Sequence, residues 1–260
     1  MAPGEKLDAK DFYSDLSIAI ITRNEEKNIK DCLESVEWAG EIIVVDAESD
    51  DATAKLCADF GVCFYSEPWK GFSAQKNSAI AKATKKWVLS LDADERVTPE
   101  LKRDIEEIIQ SRNTKDGYFI ARKNFFLGRW IRYCGWYPDY NLRLFKRGKG
   151  SFKNREVHEA VVVEGSVGYL KHPMEHYTYT SISDYLQRLD RYSTLAAREL
   201  FKENKTYGML HIIFRPVYTF LNMFVLRAGF WEGYHGFILS VLYGFYTFSK
   251  YIKLKELQRK

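Results

Sequence analysis

Apolar and polar positions alternate between two periods along the first hundred residues. Ser17–Ile21, Glu41–Val45, Val62–Tyr65 and the run ending at Asp92 (Trp87-Val88-Leu89-Ser90-Leu91) are short apolar stretches bounded by polar residues, the pattern of buried strands. Between them the apolar positions fall at helical spacing. Ile29, Cys32, Leu33 and Val36 make one stripe within Glu25–Val36, and helices are predicted over Ala52–Phe60 and Ser73–Ala83. Gly61 closes the second helix as a residue free to turn left-handed, and Thr98-Pro99 opens the next as N-cap and first-turn proline. Strand and helix in alternation at this spacing predict a parallel, doubly wound sheet.

From Asp116 the rhythm changes. Strand-like pieces at Gly117–Ala121, Asn141–Phe145 and Val161–Glu164 are separated by irregular, aromatic-rich stretches, which suits a mixed-sheet half completing an acceptor cleft. Ser181–Glu203 reads as an amphipathic helix with Ile182, Leu186, Leu189, Ala196 and Leu200 on one stripe. Two apolar stretches follow, Met209–Leu226 and Gly236–Phe248. The first is interrupted by His211, Arg215, Pro216 and Asn222, and the second is shorter than the roughly 20 residues that span a bilayer. The expected division is a polar segment over 1–16, one α/β domain over 17–180 (halves 17–115 and 116–180) and a helical region over 181–260.

Composition sharpens this picture at the C-terminal end. Residues 1–110 hold 9 aromatics and residues 201–260 hold 15, and those last sixty carry nine Lys/Arg against three Asp/Glu. A basic, aromatic segment predicts amphipathic helices lying in a membrane interface. Packing on the α/β domain, or a homodimer contact, is the competing use. The net charge of +4 is too mild to point to nucleic acid. The four cysteines form no CxxC pair, which argues against zinc and fits a reducing compartment. Met1 to Leu16 lacks the apolar core of a signal peptide, so a cytoplasmic protein is expected.

The candidate chemistry collects at strand ends. Asp92-Ala93-Asp94-Glu95 places two carboxylates at i and i+2 on the carboxyl edge of the sheet, where such sheets bind ligands. A carboxylate pair there can hold a hard divalent cation, and the cation a diphosphate; a solvated acidic turn is the plain alternative. Thr22-Arg23-Asn24-Glu25 and Asp46-Ala47-Glu48-Ser49-Asp50-Asp51 follow the first and second strands on the same edge. Asp46 can accept from a nucleobase imide or a ribose hydroxyl, whereas Asp50 and Asp51 suit N-caps. Lys76 lies in the first turn of its helix, where a cation calls for an anionic partner unless solvent holds it. Trp130, Trp136 and Tyr137 are candidate stacking platforms for a sugar ring, although aromatic core is the commoner use.

Val44-Val45-Asp46-x-x-Ser49-x-Asp51-x-Thr53, the Lys76-Asn77 turn, Leu91-Asp92-Ala93-Asp94-Glu95, Asn141-Leu142-Arg143-Leu144-Phe145, Val157-His158-Glu159 and His176-Tyr177-x-Tyr179 together resemble the inverting nucleotide-sugar glycosyltransferases of family 2. The whole run looks like the lipopolysaccharide core branch, the WaaE/KdtX-like glucosyltransferases, and the resemblance covers nearly the whole chain. The resemblance implies a GT-A fold: a mixed sheet flanked by helices, with a C-terminal helical extension. It implies that Thr22, Arg23, Glu25 and Asp46 surround the nucleoside, with Lys76 near the base or diphosphate. Asp92 then contacts the ribose or donor sugar, and Asp94 ligates Mg2+ or Mn2+ with His176 completing the metal site. Glu159 matches the family's base position, Asp139 is a second candidate, and Arg143 steadies a diphosphate or pairs with Glu159. One departure stands out: the family commonly shows Asp-Asp-Gly-Ser where this chain has Asp46-Ala47-Glu48-Ser49.

The expected function is metal-dependent, inverting transfer of a hexose, with UDP-glucose the leading donor, onto a lipid-linked lipopolysaccharide core saccharide at the inner face of the cytoplasmic membrane. A protein or peptide glycosyltransferase and a non-catalytic nucleotide-sugar-binding membrane protein are the alternatives. A nucleotidyltransferase fits less well, because Thr22-Arg23-Asn24-Glu25-Glu26 has no glycine.

Overall fold

A computed structural model of the chain describes residues 14–153 and 160–259. In chain order the elements begin β1 (Leu16–Thr22), α1 (Ile29–Val36), β2 (Glu41–Asp46), α2 (Thr53–Ala58), β3 (Cys63–Ser66), α3 (Phe72–Lys82), β4 (Trp87–Asp92), β5 (Glu95–Arg96) and α4 (Pro99–Gln110). They continue with β6 (Gly117–Phe126), β7 (Arg129–Trp130), β8 (Asp139–Lys146), β9 (Gly150–Phe152), β10 (Val161–Val163), β11 (Val167–Tyr169), β12 (Met174–Tyr179), α5 (Ile182–Lys202), α6 (Met209–Leu221) and α7 (Tyr234–Arg259). Two units emerge. One holds the described residues up to Arg122 and Tyr140–His176; the other holds Lys123–Asp139 and those from Tyr177 onward.

The sheet runs β3-β2-β1-β4-β8-β6-β12-β5. Its first four strands are parallel, and β8 joins β4 antiparallel, so the sheet is mixed rather than wholly parallel. Both faces of β1, β2 and β4 are largely buried, and the period of two divides each of these strands between them, while β3 is an exposed edge. Leu16, Ile18 and Ile20 of β1 pack with Val44, Leu89 and Leu91 against the α1 stripe Ile29, Cys32, Leu33 and Val36. Ala19 and Ile21 turn to the other face, with Val45, Val88 and the α3 residues Ala79 and Ile80. The register aligns the strand ends: Thr22 lies beside Asp46, and Ile21 beside Asp92.

The predicted helix over Glu25–Val36 starts only at Ile29. The amides ahead of it serve another loop: Asn24 N–H donates to Ser49 Oγ, Glu25 N–H to Thr53 Oγ1 and Glu26 N–H to Asp51 Oδ2. Asp51 also accepts from Thr53 N–H, but the N-cap residue of α2 is Ala52 rather than the expected Asp50 or Asp51. Thr98 caps α4, accepting from Leu101 N–H, with Pro99 in the first turn.

In the second unit, Phe126, Ile131, Trp136, Tyr185, Met223 and Leu239 belong to one largely aromatic core. Glu232, in a 3₁₀ turn (Gly229–Glu232), is buried and accepts from the amides of Arg132 and Tyr133. Helix α6 continues into a π-helical turn over Asn222–Leu226, and Ile212 is its single buried residue. The stretch Met209–Leu226 is one apolar helix despite Pro216. By length and composition it could cross a bilayer (mean hydropathy 1.5), alone in that among the described residues. Helix α7 extends well beyond the predicted Gly236–Phe248, because Tyr251 and Leu254 continue its buried stripe.

Candidate active site

The end of β4 is set in a buried ionic network. Asp92 closes the strand. Its Oδ1 lies 2.7 Å from Lys76 Nζ, and its Oδ2 accepts from Arg143 Nη2 at 2.8 Å. Lys76 is therefore buried against a carboxylate, with its ammonium also 5.1 Å from the Phe152 ring centroid; solvent does not hold it. Arg143, on β8, donates from the same nitrogen to Glu95 Oε1, and Arg122 reaches that oxygen at 3.4 Å. Glu95 is fully buried, and its Oε2 accepts the Asp92 amide at 3.0 Å, so it ties the turn back on itself. Burial alone would raise the Asp92 carboxyl, but Lys76 and Arg143 outweigh it and hold that group well below the usual carboxylate range. Burial likewise disfavours the Arg143 cation, and Glu95 and Asp92 more than offset it.

Two residues beyond Asp92, Asp94 Oδ2 stands 3.4 Å from His176 Nε2. The pairing of β5 with β12 makes this meeting, since it sets His176 opposite Glu95. Among the described residues no group of three or more His, Cys, Asp and Glu side chains forms a full cage. One carboxylate and one imidazole, with further positions left to ligand oxygens, suit a cation that also binds a diphosphate. The pair thus fits Mg2+ or Mn2+ as two protein donors.

Asp46 is buried and strongly held. Thr22 Oγ1 donates to its Oδ1 at 2.8 Å, Ser49 Oγ donates to the same oxygen, and Ser49 N–H donates to Oδ2. Oδ2 keeps a lone pair for a further donor. Arg23 is exposed, and Glu25 accepts from Asn28 Nδ2. Glu48 takes φ +53°, the left-handed region, at the position where the family pattern has glycine.

The structure therefore brings together Lys76, Asp92 and Arg143, joins Asp94 to His176, and pairs Thr22 with Asp46. Asp139 belongs to the second unit, where its Oδ2 accepts from Asn124 Nδ2. Glu159 lies outside the described residues. Tyr137 meets Trp130 edge-on at 5.5 Å, while Trp136 is buried in the aromatic core of its unit. Two residues escaped the sequence reading. Glu95 looked like a third acidic neighbour, and only its burial reveals its part. Gln75 is fully buried on α3, and neither its amide oxygen nor its nitrogen has a partner among the described residues.

A family model for glycosyl transferase family 2 matches residues 17–166. The lipopolysaccharide core biosynthesis glycosyltransferase LpsC of Rhizobium meliloti is 32% identical over 254 residues, covering 93% of this chain and 92% of that protein. An uncharacterized glycosyltransferase of Rickettsia typhi is 32% identical over 258 residues, covering 94% and 88%. Among solved structures, the mannosyltransferase PcManGT from Pyrobaculum calidifontis, in complex with GDP-Man and Mn2+, superposes with a TM-score of 0.53 at 13% identity, over 93% of this chain and 87% of that one. At that identity the likeness speaks for the fold alone. With the family pattern running from β1 through the Asp-x-Asp turn and relatives spanning nearly the whole chain, this protein belongs to glycosyltransferase family 2 and is a glycosyltransferase of the GT-A fold.

Proposed function

We infer that the enzyme transfers a hexose from a nucleotide sugar, with UDP-glucose as the donor, onto a lipopolysaccharide core saccharide, with inversion at the anomeric carbon. The observation that carries this reading is the joined geometry of Lys76, Asp92 and Arg143 beside the Asp94–His176 pair. Similarity over nearly the full length to a protein named for lipopolysaccharide core biosynthesis supports the acceptor class.

Each residue then has a task. Thr22, Arg23, Glu25 and Asp46 bind the nucleoside, the free lone pair of Asp46 taking a base imide or ribose hydroxyl. Asp92, fixed by two cations, orients the ribose or donor sugar without rearranging, which keeps the site preorganised. Asp94 and His176 hold Mg2+ or Mn2+, which supplies positive charge against the departing diphosphate. Glu159 takes the proton of the acceptor hydroxyl as that oxygen attacks, with Asp139 the alternative base. Donor binding is assigned to 17–115 and acceptor binding to 116–180.

Region 181–260 holds the enzyme on the inner face of the cytoplasmic membrane, where a lipid-anchored acceptor lies. In support, α6 exposes Leu210 (71%), Phe214 (62%) and their stripe-mates Ile213, Val217 and Leu221. A contiguous apolar face of this kind marks an interaction surface. The test is a donor screen with UDP-, GDP-, ADP- and dTDP-sugars and Mn2+, scored by nucleotide release. UDP-glucose is expected to turn over fastest, and stimulation by a lipopolysaccharide core acceptor identifies the product. Release from a different sugar nucleotide alone overturns the donor assignment, and stimulation by a peptide instead overturns the acceptor.

A further inference from the structure

Helix α6 carries a second stripe beside its apolar one. Arg215, Tyr218, Thr219 and Asn222 fall at i, i+3, i+4 and i+7, which is one face. With Arg227 and the chain at Cys134–Trp136 they line an open cleft of about 270 Å³ inside the second unit. No carboxylate lines it, and among the described residues neither guanidinium has a carboxylate partner. Lys250 adds to the imbalance: burial and the neighbouring Arg215 charge both press its ammonium below the usual lysine range. Cations gathered without a counter-charge repel one another, so an anion at this place is stabilised.

The cleft is also shaped around one of these arginines. Gly135 has φ +75°, and a Cβ there would fall 2.1 Å from Arg227 Nη1. The Arg227 side chain therefore packs over the Gly135 backbone, where the position has no Cβ. The setting is apolar on both sides. Phe214 and Leu226 directly precede the two arginines and are 62% and 72% exposed, and Trp231 and Tyr234 stand out from the same unit. Apolar side chains reaching into acyl chains, with guanidinium groups held at headgroup depth, form the arrangement that interfacial arginines adopt. Arginine is also the side chain that grips phosphate oxygens in pairs.

We propose that this cleft binds the phosphate of a membrane lipid, with Arg215 and Arg227 donating to its oxygens and the Asn222 amide as a further donor. The assignment rests on the membrane reading above and names its anchoring ligand. Its consequence is positional: the enzyme sits on anionic lipid in a set orientation, rather than by diffuse charge alone.

The test uses the full chain and sedimentation with vesicles of phosphatidylcholine alone or mixed with phosphatidylglycerol. The wild type is expected to prefer the anionic vesicles. The charge-conserving variant R215K/R227K keeps diffuse attraction and loses the paired grip, so its binding to those vesicles is expected to weaken about tenfold or more. Nucleotide release from the donor in solution stays unchanged, which also reports that the variant is folded. Equal binding by R215K/R227K and wild type overturns the site and leaves the membrane reading standing. A wild type that binds neither vesicle overturns the membrane reading and this assignment together. Displacement from the vesicles by inorganic phosphate at the same total phosphate overturns the lipid source in favour of a soluble ligand.

Discussion

Lys76 Nζ lies 2.7 Å from Asp92 Oδ1, where the second turn of α3 meets the end of β4. A buried ammonium is costly without a counter-charge, and Lys76 is buried. The carboxylate compensates for that, and Arg143 on the other oxygen completes the neutralisation. The Asp-x-Asp turn is therefore not a loose acidic loop. Its first carboxylate is locked by two cations, and the second stands 3.4 Å from His176 Nε2.

Removing one partner leaves a buried charge short of compensation. Lys76→Met is expected to lower unfolding free energy by about 3 kcal/mol, the lower end for a broken buried pair because Arg143 remains. The double variant Lys76→Met/Asp92→Asn should cost clearly less than the two single changes summed. Urea unfolding checks both. Additive losses would show that the two side chains do not depend on each other.

Asp94→Ala and His176→Ala should each abolish or strongly reduce Mn2+-stimulated nucleotide release, and chelation of the wild type by EDTA should do the same. The far-UV circular dichroism of both variants should match wild type, since neither side chain belongs to the buried Lys76–Asp92–Arg143–Glu95 cluster. A fully active Asp94→Ala enzyme would remove the metal role assigned to that residue.

The proton acceptor is decided between Glu159 and Asp139. Glu159→Gln should leave the donor KM near wild type and cut kcat by about 100-fold or more, the scale of general-base effects. Asp139→Asn should spare kcat by comparison. The reverse pattern would move the base to Asp139.

Much of the parallel half was legible from period alone. Leu16, Ile18 and Ile20 divide from Ala19 and Ile21 as a buried strand requires, and the Ile29–Val36 stripe packs where its spacing predicts. What stayed hidden depends on partners far along the chain. Strand β5 is two residues long and has no period to read, so its pairing with β12 was not legible, although the resemblance had implied the meeting of His176 with Asp94 that this pairing makes. Glu95 carries no local sign of burial; Arg143 and Arg122, forty-eight and twenty-seven residues away, make that burial tolerable. The start of α1 was misplaced for a similar reason: Asn24 takes φ +55°, and side chains at 49–53 bind the amides of residues 24–26 and hold that stretch as a turn.

Away from the site, Glu67 gives a pH-dependent contribution whose sign is fixed. Lys82 Nζ lies 2.6 Å from its Oε1, and Ser78 and Lys70 add hydrogen bonds. With Lys82 as the main cause, the Glu67 carboxyl is held down at about 2. An unfolded glutamate titrates near roughly 4.3. The folded state therefore binds fewer protons between those values, and the contribution is complete above the unfolded value and lost as pH falls toward 2. Glu67→Gln should cost about 1 kcal/mol at pH 7, the scale of a partly exposed pair. The gap from wild type should shrink between pH 4 and 2, on the linkage scale of about one to two pH units. A gap independent of pH in urea titrations would rule out the ion pair as its source.

Glu48 offers the cleanest separation of fold from chemistry. Its φ of +53° is a conformation that costs a residue with a Cβ about 1 kcal/mol, and the family pattern places glycine there. The turn is imposed from both sides: Asp46 accepts the Ser49 amide and hydroxyl, and Asn24 accepts the Asp50 amide. Glu48→Gly relieves the strain but adds freedom to the unfolded chain, so the net gain in stability should be small and positive, about 0.5 kcal/mol. Glu48→Val, branched at Cβ, should instead lose about 1 kcal/mol or more. Because Glu48 makes no hydrogen bond that holds Asp46, donor affinity should be the same in all three proteins when measured by UDP competition. A Glu48→Gly protein that is less stable, or one whose UDP affinity falls severalfold, would mean that the side chain holds the turn or touches the nucleotide.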